Sequence, residues 1–176
     1  MKRVLIGTKG AAREKLSAFL RQCGYSECAS LSEADAAVYA FAAFDDCRAH
    51  ELARIAACSC AGVLVLMPEE CLAVAESATE GAGIFFLPLG TRAPALEAAL
   101  GFACKTGERL RRAGDRQRRL EEEIDDLKLV DRAKCALVRY LNMTEPDAHR
   151  FIEKQAMNKR APRRAIALEI LSAYES

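Results

Sequence analysis

Tryptophan is absent from these 176 residues, histidine occurs only twice, and aromatic side chains make up 6% of the chain. No apolar run approaches the roughly 18 residues that span a bilayer, which excludes a membrane-spanning helix. Met1-Lys2-Arg3 leads straight into Val4-Leu5-Ile6 and then Gly7. That apolar stretch is too short for a signal-peptide core and predicts a cytoplasmic protein. The eight cysteines (Cys23, Cys28, Cys47, Cys58, Cys60, Cys71, Cys104 and Cys135) contain no pair at the two-residue spacing of a zinc knuckle or redox motif. With only His50 and His149 to assist, they read as reduced, small apolar residues rather than metal ligands. The chain also lacks a glycine-rich phosphate loop and any recognisable Cys/His or Ser/His arrangement. The expectation is therefore no enzyme, no catalytic residue, no metal and no cofactor.

Half of the residues are apolar, which gives ample material for a core. A net charge of +1 conceals an asymmetry: residues 1–104 hold nine basic and twelve acidic side chains, whereas 105–176 hold seventeen and thirteen. An acidic, Ala- and Cys-rich first part thus gives way to a basic, helical second part. The expected organisation is an α/β domain at 1–104, a coiled-coil linker at 105–126 and a small helical domain at 127–176.

Within the first part, short apolar runs at 3–7, 36–41, 62–67 and 83–87, with a weaker one at 27–30, alternate with helical spacing at 11–22, from Asp45 or Asp46 to about 58, at 69–78 and from 92 onward. Buried parallel strands carry such unbroken apolar runs, and the alternation predicts a doubly wound, flavodoxin-like sheet. The segment between the first and third strands is short, so one helix is expected to be reduced or lost. This order resembles that of a response-regulator receiver domain, in pattern rather than in motif. Where a receiver keeps its acidic pair the sequence reads Gly7-Thr8-Lys9-Gly10, and where its phospho-acceptor aspartate ends the third strand it reads Ala40-Phe41-Ala42-Ala43. Met67-Pro68 and Leu87-Pro88 replace the receiver's Ser/Thr and Lys. The resemblance implies a pseudo-receiver with no phosphorylation site, since phosphoryl transfer needs carboxylates for Mg²⁺ and a cation for the phosphate. Asp45 and Asp46 fall beyond the third strand and are poor substitutes.

From residue 110 the apolar spacing becomes three and four: Leu110, Ala113, Gln117, Leu120, Ile124 and Leu127. Charged neighbours flank this stripe, as in a short coiled coil, and the six residues form the candidate dimer seam. The alternative is one long amphipathic helix packed on its own chain. Beyond it lie three helical segments: 127–141 with Asn142 as a left-handed cap, a second opened by Thr144-Glu145-Pro146-Asp147, and a third after Ala161-Pro162. Six basic residues and one acid lie between 148 and 164, and such clusters attract phosphates through counterion release.

Ala133-Lys134-Cys135 followed by Leu137-Val138, then Thr144-Glu145 with Ala148, Ala156-Met157 with Lys159-Arg160, and finally Ile166-Ala167, make residues 127–173 resemble the ANTAR domain. This is the RNA-binding module of transcription antitermination regulators. Cys135 and Val138 depart from the family's Gly and Met. Pseudo-receiver, heptads and ANTAR domain follow one another as in the response-regulator branch. The resemblance implies a homodimer that binds leader RNA with two hairpins, each displaying a hexanucleotide loop, and so prevents a terminator hairpin from forming. Resemblance and charge together nominate Lys134, Arg139, Tyr140, Lys154, Met157, Lys159, Arg160, Arg163 and Arg164 as RNA contacts. His149 reads as a surface residue, and a regulatory partner protein is a further candidate ligand. The rival readings are a helix-turn-helix factor bound to duplex DNA and a protein-only dimeric adaptor.

Overall fold

Five parallel strands alternate with helices in a computed structural model that describes residues 2–58 and 60–174, the side chain of Cys58 excepted. Strands β1 (Arg3–Ile6), β2 (Ser26–Cys28), β3 (Ala36–Ala40), β4 (Gly62–Met67) and β5 (Ile84–Pro88) line up in the order β2-β1-β3-β4-β5. That is the flavodoxin-like order expected from the sequence. Helices α1 (Ala11–Gln22), α2 (Asp46–Cys58), α3 (Glu69–Ala78) and the 49-residue α4 (Ala93–Leu141) follow strands β1, β3, β4 and β5. Among the described residues, no helix is long and apolar enough to cross a membrane. The chain divides into two compact units, Met1–Gly114 and Asp115–Ser176.

In the first unit the apolar runs become strands because both faces of the sheet are covered. All six residues of β4 are buried. On one face Val4, Ile6, Val38, Leu64 and Leu66 pack against Leu16 and Leu20 of α1 and against Leu96, Leu100, Ala103 and Cys104 of α4. On the other, Tyr39, Val63, Val65 and Met67 pack against Leu52 of α2 and Ala75 of α3. Burial at this first interface pushes the Cys104 thiol up to about 11. The carboxylate of Asp45 accepts the Arg48 amide at 2.8 Å and so caps the start of α2.

The connection from β2 to β3 holds only one 3-10 turn, Leu31–Glu33, in place of a helix. The register explains how so short a return is possible. Cys28 stands level with Leu5 and Ala36 with Val4, so the chain re-enters the sheet one residue below where it left. A strand rises about 3.3 Å per residue, and residues 29–35 cover the distance without a helical crossover. At the opposite end of the sheet, the buried Thr8 hydroxyl donates to the Ala40 carbonyl at 2.7 Å, and Arg13 donates to the Ile6 carbonyl at 3.0 Å. An uncharged bond therefore joins β1 and β3 where a receiver would carry its carboxylates.

Asp35, just before β3, anchors the far part of α4. Its carboxylate accepts the Arg3 amide at 2.8 Å and the Arg111 guanidinium at 3.0 Å, while Arg111 also donates to the Ala34 carbonyl at 2.8 Å. Burial alone would raise this carboxyl, but the Arg3 amide and the Arg111 guanidinium outweigh it and hold it below its ordinary value of 3.8. A depressed folded value means that the charge stabilises the fold fully above the ordinary carboxylate range and loses this effect as pH falls through the lower value. The urea midpoint of Asp35→Asn should therefore lie below that of the native protein near pH 7, with the gap closing as pH falls below the ordinary carboxylate value. A gap independent of pH would remove the Asp35 charge as its source.

Candidate nucleic-acid interface

The second unit packs the end of α4 with α5 (Glu145–Lys159) and α6 (Arg163–Tyr174). Asn142 takes a left-handed conformation, φ 52°, and ends α4. Thr144 then caps α5: its hydroxyl accepts the Asp147 amide and donates to the Asp147 carboxylate at 2.6 Å. Asp147 thus occupies the capping-box position but binds the hydroxyl. Arg160, also left-handed at φ 49°, closes α5, and Pro162 precedes the first turn of α6. The three helices meet over Ala133, Ala136, Leu137, Ala148, Ile152, Ile166, Ala167, Ile170 and Leu171. Four alanines in this core bring the helices close together, so the long polar side chains are confined to the rims.

The nine nominated residues divide by their partners. Lys134, whose side chain is 17% exposed, lies between Asp131 at 2.8 Å and Glu145 at 3.1 Å. Its hydrogen bonds to these two carboxylates raise the ammonium above its ordinary value. The bond to Asp126 does the same for Arg164. Lys159 pairs with Glu169. Glu153 receives both Arg163 at 3.6 Å and His149 at 3.4 Å. Among the described residues, Arg139, Lys154 and Arg160 make no ion pair. Arg139 instead lies over the Tyr140 ring at 5.6 Å, and Tyr140 stacks on Tyr174 with centroids 5.5 Å apart. Met157, at 79%, is the most exposed large apolar residue among the described residues and continues a stripe from Arg150 and Lys154 along α5 at helical spacing.

The structure does not gather all nine onto one patch. Lys134, Arg163 and Arg164 line one cleft of about 450 Å³ with Val130, His149 and Pro162. Lys134 and Arg139 share a second hollow beside Cys135. Lys159 borders a third with Glu169 and Tyr174. Arg150, exposed and 3.9 Å from Asp147, belongs with Lys154, although the sequence pattern does not nominate it. Its i, i+4 spacing is the signal that could have done so. The carboxylates that hold the cations also escape sequence reading. The three-residue spacing of Asp131 and Lys134 could have revealed one pair, but Asp126 and Arg164 are 38 residues apart.

Of the seam residues, Leu110 (46%) and Ala113 are exposed in the first unit, and Gln117, Leu120 (50%), Ile124 (50%) and Leu127 (66%) in the second. Gln117 donates to Glu121 at 2.9 Å on the same helix.

Residues 118–171 match the ANTAR domain family. No curated protein matches the chain at a significant level. A crystal structure of full-length FixJ from B. japonicum is similar over 97% of this chain and 95% of that chain, with 13% identity and a TM-score of 0.48. Residues 118–171 are therefore an ANTAR domain, the RNA-binding module of transcription antitermination regulators, and they follow a flavodoxin-like α/β domain.

Proposed function

We propose that this chain is a dimeric, non-enzymatic antitermination regulator that binds two-hairpin leader RNA and thereby keeps a terminator hairpin from forming. The ANTAR match at 118–171 carries the reading. The cations around the helical bundle support it, since RNA affinity begins with neutralised phosphates. On this reading residues 1–104 act as an input domain, 105–126 pair two copies in the cytoplasm, and 127–176 hold the RNA. The nine nominated residues contribute unequally. Arg139, Lys154 and Arg160, free of carboxylates, meet phosphate at no cost in broken ion pairs, whereas Lys134, Lys159, Arg163 and Arg164 must first exchange a partner.

Binding of a two-hairpin RNA with six-nucleotide loops, compared with duplex DNA at matched salt, tests the reading. Tighter binding of the RNA is expected; preference for the duplex would favour a DNA-binding factor, and binding of neither would favour a protein-only adaptor. Lys154→Ala should reduce the salt slope by about 0.7–0.9, the share of one phosphate that is no longer neutralised, with the thermal midpoint nearly unchanged. Arg160→Gly should do likewise, and glycine also suits the left-handed backbone at that position. A double variant with the native slope would exclude these two cations from the interface.

A further inference from the structure

We infer that the cleft between α4 and the corner joining α5 to α6 receives an unpaired nucleobase of the RNA rather than a phosphate. This assignment rests on the RNA-binding reading and adds a division of labour to it. Three acids, Glu123, Asp126 and Asp131, and three cations, Lys134 on the same helix and Arg163 and Arg164 on α6, line a cleft of about 450 Å³. Its charge is therefore balanced. A phosphate entering it would have to displace a carboxylate from a cation while meeting the remaining acids. A neutral planar group meets neither obstacle. The volume lies within the roughly 300–1,000 Å³ of clefts that take small ligands.

The ion pairs also determine which surfaces of the cations remain available. Asp126 accepts a hydrogen bond from an N–H edge of Arg164, and Glu153 lies 3.6 Å from that of Arg163 and 3.4 Å from His149. A guanidinium bound by its edge keeps its flat face, which stacks on aromatic rings. Bases in RNA loops, splayed from the helix, are recognised by such planes together with hydrogen bonds to their edges. Val130 and Pro162 contribute apolar lining beside these planes. The cations without carboxylate partners, Arg139, Lys154 and Arg160, lie outside the cleft and are left for the backbone phosphates. Phosphate contacts then position the RNA while the cleft reads a base.

Arg163→Lys and Arg164→Lys separate the two chemistries, because lysine keeps the charge and loses the plane. Both side chains are about half exposed, so the fold should tolerate either change. A two-hairpin RNA with randomised six-nucleotide loops is first selected on the native protein, and the fixed loop positions are then made abasic one at a time. One abasic position should weaken native binding by about tenfold or more, within the range of a stacked base, and should cost the lysine variants less than about twofold. Their salt slopes should match the native slope. The inference is overturned if no loop base is fixed by selection, or if the abasic penalty is the same in the lysine variants as in the native protein. Native protein that binds no RNA above duplex DNA would instead remove the RNA-binding reading itself.

Discussion

Gly62→Ala and Gly107→Ala should each lower the thermal midpoint of the α/β domain by roughly 4–24 °C. A Cβ at Gly62 would lie 2.0 Å from the Ala103 carbonyl oxygen, and one at Gly107 would lie 2.1 Å from the Asp35 carbonyl oxygen. Both obstacles are backbone atoms, so no side chain can rotate away. Reaching ordinary contact at 3.4 Å requires the start of β4, or the loop before β3, to separate from α4 by more than an ångström. That separation would break the packing of Leu100, Ala103 and Cys104 on the sheet and draw Arg111 from Asp35. Overpacking a close contact costs about 1–3 kcal/mol or more, and each kcal/mol moves the midpoint of a domain this size by roughly 4–8 °C. Gly101→Ala provides the opposite sign on the same helix. Nothing lies within 4 Å of its Cβ, and alanine is worth about 0.5–1 kcal/mol over glycine inside a helix. If all three variants melted together, the close approach of α4 would not be what these glycines serve.

Nothing in the sequence around Gly62 or Gly107 distinguishes them from Gly101, and that contrast marks what could be read in advance. Segments whose limits depend on their own chemistry were legible: β4 runs from Gly62 to Met67 because Pro68 stops it, α3 follows at once, and α1 spans Ala11–Gln22. Edge strands were not. Both β2 and β5 are displaced by about one residue from the apolar runs, since their ends depend on register with β1 and β4. The pairing of cations was least legible of all. Charge counting locates six basic residues near the α5–α6 junction, but the ion pair of Arg164 with Asp126 exists only once α6 packs on α4. A count of charges therefore measures how many cations are present, whereas the fold decides how many are free to meet a phosphate.

If the chain pairs through this stripe as proposed, replacing both Leu120 and Ile124 with lysine should yield monomers while leaving the helical content intact. Residues 115–125 of α4 are exposed throughout, held locally by pairs such as Arg118 with Asp115, and two large apolar side chains there are each half exposed. A solvated helix has no need of leucine and isoleucine at those positions. On the proposed dimer a second copy supplies the missing partner, since heptad positions bury their side chains between helices. Each is already half covered, so burying the rest of four such side chains, two from each copy, contributes roughly 3–6 kcal/mol, half of the about 1.5–3 kcal/mol each that full burial brings. Losing that much weakens a micromolar dimer by about a hundredfold or more. Two lysines per chain add repulsion between the copies. Because neither residue packs in the bundle core, circular dichroism should report an unchanged fold while sedimentation reports half the mass. RNA binding should weaken as well, because a monomer can engage only one hairpin at a time and forfeits the effective concentration that links the two. A double variant that sediments as the same dimer would move the interface away from this stripe.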